Sequence, residues 1–281
     1  MNKLLLVDGS NLLFQMFFGM PARIFNKNGK AIHGTIGFVG ALLKIIRMTN
    51  PTHVAVLFDG EHENGRVALN ADYKANRIDY SEVPEQENPF TQLPDIYAAL
   101  DKLKIRHAET TICETDDWIA GYALNYGKDT QIIISSFDSD YFQLITDNVS
   151  VLRYHGVKST LCTPDYVSNR YGITPSQYAD FKSLVGDTSD NIRGADKIGP
   201  KTAALLLKKF STLDGILANA EDIERLSVRD SILKNSERLK TNYKLIKLTD
   251  GAALPFRLDE LKYNNVNLTS TEILKQTGIL P

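Results

Sequence analysis

Cysteine is nearly absent: Cys113 and Cys162 are the chain's two thiols among 281 residues, and they lack Cys-x-x-Cys spacing. Two are too few for a disulfide framework, and neither has a Cys or His at zinc-ligand spacing. Both read as buried or idle thiols of a reducing compartment. Long hydrophobic runs are missing as well. No stretch approaches the roughly 20 apolar residues of a membrane span. The apolar run that begins at Leu4 breaks at Asp8, too early for a signal-peptide core. A soluble, cytoplasmic protein is expected. The chain also lacks an excess of either charge: 32 basic residues against 34 acidic ones give a formal net charge of −2. That balance neither excludes nor favours a nucleic-acid partner. It requires that any cations gripping a phosphate backbone be gathered in one place and the anions in another. Repeats and low-complexity tracts are absent too.

What is present suits one large or two modest domains, with 43% hydrophobic and 23% charged residues. Three short apolar runs, 4–7, 54–58 and 132–134 with its Ser135-Ser136 extension, read as buried strands of a parallel sheet covered on both faces. Helical patterns fall at 38–48, 93–103 and 117–126. This alternation predicts a doubly wound α/β domain to about residue 170. Residues 60–90 break the rhythm with polar text that includes E-H-E-N-G and P-E-Q-E-N-P, as a functional lid or mobile loop does. Beyond Pro175 helices and turns are expected up to about residue 250. The last thirty residues carry little information.

Each apolar strand runs into an aspartate: Asp8, Asp59 and Asp138, with Asp140 two residues later. In an open parallel sheet, ligands bind outside the carboxyl ends of the strands, so these acids belong to one edge. A single aspartate there is an ordinary turn residue. Three in register are harder to dismiss. The stretch E-T-D-D-W-I-A adds Glu114, Asp116 and Asp117. Read alone it is a helix N-terminus, where acids suit the macrodipole. G-D-T-S-D-N adds Asp187 and Asp190 in a helix-linking turn. Nine acids converging on one patch repel strongly, since a pair about 4 Å apart costs on the order of 4 kcal/mol at a surface-like dielectric. Hard oxygen ligands without His or Cys select Mg²⁺ or Mn²⁺, and the chemistry suited to such a patch is two-metal phosphoryl transfer.

A phosphodiester substrate needs cations as well. The insertion supplies Arg66, Tyr73, Lys74 and Arg77, which share one face if the segment is helical. Lys74 or Arg77 is then placed to stabilise charge on a phosphate, and Tyr73 to stack on a base. Local text alone equally allows a solvated face of mixed charge. In R-G-A-D-K-I-G-P-K-T, Gly199 makes a tight turn and Pro200 opens a helix whose N-terminus offers free N–H groups. Five basic residues and one acid between Arg193 and Lys209 suggest a clamp on a phosphate backbone that carries no sequence preference. The plainer reading is an amphipathic helix with a wet lysine face.

Assembled in order, V-D-G-S-N-L-L-F, Y-K-A-N-R, E-T-D-D-W-I, D-S-D-Y-F-Q-L, G-D-T-S-D-N-I and I-G-P-K-T-A resemble the 5′-nuclease (flap endonuclease) family. The likeness is greatest to its bacterial branch, the 5′–3′ exonuclease domain of DNA polymerase I and free-standing relatives. The resemblance implies an α/β nuclease domain over 1–172, with a mostly parallel doubly wound, PIN-like sheet and a helical arch near 60–92. It implies a helical DNA-binding domain over 173–281 with a helix–three-turn–helix module. By the same resemblance one metal ion would use Asp8, Asp59, Glu114 and Asp116, and a second Asp116, Asp117, Asp138, Asp140, Asp187 and Asp190. Catalytic roles would fall to Lys74, Arg77, Asp116 and Asp138, with the two cations as Mg²⁺ or Mn²⁺. DNA contacts would involve Arg66, Tyr73, Lys74, Arg77, Lys197, Gly199, Lys201 and Thr202, with K⁺ bound in the helix–three-turn–helix. The implied reaction is hydrolysis of phosphodiesters at 5′ flaps or ends of DNA, and in RNA/DNA hybrids, by a monomer acting in replication and repair.

Gln15, Phe137, Arg193 and Asp196 depart from residues common in such relatives, but none removes a carboxylate. Three rivals remain to be distinguished. A DNA-junction binding protein of weakened catalysis sits poorly with the complete acid set. An aspartyl-phosphate phosphatase wants a second Asp where Ser10 stands. A PIN-type ribonuclease has no use for the clamp at Gly199.

Overall fold

A computed structural model describes residues 2–60, 65–264 and 267–281. The E-H-E-N part of the insertion lies outside the described residues. Six strands form one sheet in the order β3-β2-β1-β4-β5-β6. They are β1 (Lys3–Asp8), β2 (His53–Phe58), β3 (Arg106–Glu109), β4 (Gln131–Ser135), β5 (Val149–Arg153) and β6 (Thr160–Cys162). All neighbours pair parallel except β5 with β6. The order reverses at β1/β4, and the crevice of a doubly wound sheet opens at such a reversal.

The alternation of side chains explains why these strands read as continuous apolar runs. Leu4 and Leu6 of β1 join one buried cluster, while Leu5 and Val7 join the other. On the second face lie α1 (Gly9–Gly19), α2 (His33–Thr49) and α3 (Leu93–Lys102), with α11 (Ser270–Gln276) packed against α2. In α2 the buried Phe38, Leu42, Ile45, Ile46 and Thr49 repeat at helical spacing. The helix stops at Asn50, whose φ of 44° is left-handed, just before Pro51. The first face is covered by α4 (Thr115–Tyr126). The same buried cluster continues into α5 (Pro164–Tyr171), α6 (Tyr178–Val185), α7 (Pro200–Phe210), α8 (Leu213–Ala218), α9 (Leu226–Lys234) and α10 (Ser236–Ile246). A two-residue hairpin, β7 (Gly186–Asp187) with β8 (Ile192–Arg193), links α6 to α7.

Several elements lay beyond the sequence reading. Strands β3, β5 and β6 are short, and β3 is half exposed, so none carries an apolar run. The C-terminal segment does more than its text suggested. Trp118 donates its indole N–H to the Ala253 carbonyl at 2.9 Å. The Tyr122 hydroxyl donates to the Phe256 carbonyl at 2.8 Å and accepts the Phe256 N–H at 3.2 Å. The Tyr263 N–H reaches the Thr52 carbonyl at 2.9 Å, closing the strap against the start of β2. Among the described residues no helix is long and apolar enough to cross a membrane.

The insertion is the main correction. Residues 66–77 form a 3-10 turn, Gly65–Ala68, followed by hydrogen-bonded turns, and Lys74 has a left-handed φ of 57°. Arg66, Tyr73, Lys74 and Arg77 therefore share no helical face. Contacts with the acids replace helical periodicity as the force that shapes this segment.

Because Tyr122 is fully buried, Tyr122→Phe leaves the Phe256 N–H and C=O without their partner. It is expected to cost about 1–3 kcal/mol in urea unfolding. An unchanged midpoint would remove the strap from the stabilising interactions.

Candidate active site

Asp8 ends β1 at the centre of the sheet, and Gly9 must follow it: a Cβ there would meet the Phe58 ring at 2.5 Å. The chain therefore turns straight into α1, with Asp8 as its cap. Asp8 Oδ1 accepts the Asn11 N–H at 3.0 Å, and Oδ2 accepts the Ser136 hydroxyl at 2.9 Å. Ser136 Oγ in turn accepts the Asp138 N–H at 3.0 Å, and Asp138 Oδ1 accepts the Asp140 N–H at 2.8 Å. One hydrogen-bond chain thus ties the ends of β1 and β4. Tyr141 adds a second tie, its hydroxyl lying 3.4 Å from Asp8 Oδ2 and hydrogen-bonded to Asp116.

Asp59 follows β2 and is exposed. Its Oδ1 accepts the Thr115 N–H at 2.9 Å, which fixes the first turn of α4 beside β2. Capping at this turn is real but partial: Asp117 Oδ2 accepts the Glu114 N–H at 3.1 Å. Glu114 instead meets Lys74, Arg66 and the Tyr73 hydroxyl, the last at 3.2 Å. Arg66 also pairs with Asp117 at 2.6 Å.

The third group comes from the far side of the chain. Gly186, with φ of 84°, lets the hairpin close so tightly that a Cβ there would stand 2.5 Å from the Gly194 nitrogen. The hairpin presents Asp187 and Asp190, whose carboxylate oxygens lie with one of Asp140 within 4.8 Å of one another. Arg77 pairs with Asp190 at 2.9 Å. The Lys74 N–H also donates to the Asp190 carbonyl at 3.0 Å. Lys182, on α6, sits between Asp140 at 3.0 Å and Asp187.

The electrostatics follow from burial. Desolvation, then the nearby Asp59 charge, pushes the Asp8 carboxyl up to about 7. Asp140 is pushed up to about 7 by burial, against the pull of Lys182. Burial also raises Asp116, with the Asp138 charge next, and burial raises Asp138. Glu114 goes the other way: burial would raise it, but Lys74 and Arg66 hold it below its ordinary range. Lys182 is burdened by burial yet raised by its two aspartates.

The fold therefore gathers Asp8, Asp59, Glu114, Asp116, Asp138, Asp140, Asp187 and Asp190 along one sheet edge and its facing hairpin. Asp117 stands beside them, paired with the same Arg66 that meets Glu114. Tyr73 is 5% exposed, so the ring expected to stack on a base is turned inward here. Lys197, Gly199 and Lys201 lie exposed, and Thr202 half-buried, on the separate turn that opens α7, where Gly199 is the cap and Pro200 the first helical residue. Three contributors escaped the sequence reading. Ser136 reads in the sequence as the extension of a strand, and Tyr141 stands in the D-S-D-Y-F-Q-L motif without an assigned role. Lys182 left one signal, a lone cation in the buried run A-D-F-K-S-L-V.

A divalent ion fits this donor set: all the donors are hard oxygens, and Asp140 Oδ1 is buried without a hydrogen-bond partner although Lys182 lies beside it. Residues 3–172 match the family described as 5′-3′ exonuclease, N-terminal resolvase-like domain, and residues 173–269 the 5′-3′ exonuclease, C-terminal SAM fold. A 5′-3′ exonuclease of Buchnera aphidicola subsp. Schizaphis graminum is 35% identical, over 98% of this chain and 92% of that protein. DNA polymerase I of Lactococcus lactis subsp. cremoris is 33% identical over 94% of this chain, which spans only 31% of the polymerase. Among solved structures, the zinc-bound bacteriophage T5 5′-exonuclease superposes with a TM-score of 0.73 at 22% identity, over 87% of this chain and 89% of that one. The catalytic core of Rad2 in complex with a DNA substrate reaches 0.60 at 14% identity, over 100% of this chain and 89% of that one. With both of its halves matched and its carboxylates gathered at the switch point of the sheet, this chain belongs to the 5′–3′ exonuclease family of nucleases.

Proposed function

We propose that this nuclease hydrolyses phosphodiesters of DNA near a single-strand/duplex junction, at 5′ ends and 5′ flaps, with two Mg²⁺ or Mn²⁺ ions, and that RNA in hybrids is also accepted. The hydrogen-bonded chain Asp8–Ser136–Asp138–Asp140, extended by Tyr141 to Asp116, carries this reading, because it sets three separate segments at one point. In the proposal Asp8, Asp59, Glu114 and Asp116 hold one ion, and Asp116, Asp117, Asp138, Asp140, Asp187 and Asp190 the other, some through water. Such a pair of ions lowers the pKa of a bound water and steadies the leaving oxygen. The protein's own part is positional. Asp8, Asp116 and Asp138 hold the acid cluster open toward the crevice, and Tyr141 and Ser136 keep their oxygens oriented. Lys74 and Arg77 exchange their carboxylate partners for substrate phosphate, where fixed cations favour the developing charge. Lys197, Gly199, Lys201 and Thr202 grip duplex backbone at the turn into α7, the site proposed for K⁺. Division into 1–172 and 173–281, and action as a monomer, belong to the same proposal. The solved T5 flap endonuclease complex with DNA and metal ions, alike in fold at a TM-score of 0.71, supports it.

Asp138→Ala is expected to abolish Mg²⁺-dependent cleavage of a labelled 5′-flap duplex while leaving gel-shift affinity within a few-fold. Full turnover would refute the ligand assignment. Lys74→Ala should lower kcat by orders of magnitude; a change in KM alone would leave it only a positioning role. Lys182→Met strips the fixed counter-charge from Asp140 and Asp187, a loss of about 3–5 kcal/mol for a broken buried pair. Its melting temperature should drop in EDTA and recover with Mn²⁺. Equal drops in both conditions would mean that Lys182 and the ion occupy unrelated places.

A further inference from the structure

Arg153 is the last residue of β5, beside the strand whose end carries Asp138. Its guanidinium takes part in no ion pair among the described residues, unlike Arg66 and Arg77 at the same edge. Instead Nη2 donates to the Phe137 carbonyl at 2.7 Å. Its Cζ lies over two rings, 5.6 Å from the Phe137 centroid and 5.3 Å from that of Phe142. Phe137 immediately precedes Asp138, and Phe142 comes two residues after Asp140. One guanidinium therefore clamps both ends of the loop that presents the Asp138–Asp140 pair. The same Phe137 is held from the other side as well, since its N–H donates to Asn11 Oδ1 at 3.0 Å, three residues from Asp8.

We infer that Arg153 is a positioning residue that holds the Asp138–Asp140 loop against the repulsion of the neighbouring carboxylates and so maintains the divalent-ion site. This rests on the metal reading above. The loop is tied to Asp8 through Ser136 and to Asp116 through Tyr141, and Asp140 stands within 4.8 Å of the Asp187 and Asp190 carboxylates, so like charges crowded this closely push an untethered loop outward. Tethering by a side chain that never meets the ion is how outer residues orient a metal's ligands, and such residues commonly govern affinity by 10- to 100-fold. A planar fork that stacks and donates at once is a property of Arg that Lys does not share. Arg153 therefore acts on ion affinity and on kcat through Asp138, with little leverage on the grip of DNA at α7.

The test uses full-length Arg153→Met, Arg153→Lys and, as control, Asp138→Ala. It measures Mn²⁺ binding by electron paramagnetic resonance without DNA, then kcat and KM on a 5′-flap duplex. Arg153→Met is expected to weaken Mn²⁺ binding roughly 10- to 100-fold. Its kcat should drop in step, with KM within about twofold, and Arg153→Lys should recover only part of the loss. Parental Mn²⁺ affinity in Arg153→Met overturns the inference, as does a loss confined to KM, which would make Arg153 a substrate contact. Should Arg153→Met fail to fold, Arg153→Lys decides, and parental affinity there overturns the inference too. If Asp138→Ala itself binds Mn²⁺ normally, the metal reading is what has failed. Loss in Asp138→Ala with no loss in Arg153→Met sinks the brace alone.

Discussion

Repulsion among carboxylates at one sheet edge is the constraint around which this molecule is arranged. At least eight acids meet near the ends of β1, β2 and β4, several of them buried beyond the reach of bulk water. Burial weakens screening and makes every uncompensated charge expensive. The chain responds in two ways. Asp8 and Asp140 rise toward neutrality and hold protons more readily than ordinary aspartates. Arg66, Lys74, Arg77 and Lys182 supply fixed positive charge. Neither response is specific to the chain's own cations, so the same patch is suited to external cations of higher charge density.

The two sources of counter-charge differ in kind. Lys182 is buried on α6, whose Phe181 and Leu184 belong to the packed cluster that joins the sheet to the C-terminal helices. It is built in. Arg66, Lys74 and Arg77 come from a segment with no α-helix of its own, stitched to the hairpin by the Lys74 N–H and by Asn76 and Asn191 amides. Their partners are exchangeable: a phosphate is as good an acceptor for Arg and Lys as a carboxylate. An insertion whose shape comes mostly from these pairs links its conformation to whatever occupies the acid cluster. That link is physical and local, and it joins the part of the chain proposed to meet the substrate with the part proposed to hold the ions.

The scaffold makes such crowding tolerable because its most rigid pieces carry it. Strand β1 is buried along five of its six residues and flanked by neighbours on both sides. Its end cannot retreat from the charge it bears. Around it, hydrogen bonds from Ser136, Asn11, Thr115 and Tyr141 take up carboxylate lone pairs that would otherwise be unmatched. Asp59, at the wet end of β2, stays exposed and receives only the Thr115 N–H among these donors.

By itself the amino-acid sequence determined the parts whose cause is local. Apolar runs with a β-branched core named β1, β2 and β4, helical spacing named α2 and α3, and strand-end aspartates named the edge where chemistry belongs. Periodicity and burial act within a few residues, so they leave a mark in the text. Short or half-exposed strands such as β3 and β6 leave almost none, and residues 66–77 owe their non-helical shape to partners 40 or more positions away, which local spacing does not record. Only the tertiary structure decided that Tyr73 turns inward, that Lys182 stands between Asp140 and Asp187, and that Arg153 reaches the Phe137 carbonyl. Each of those outcomes is a contact between segments brought together by packing, and the strength of a charge or hydrogen bond depends on distance and burial that no linear spacing contains.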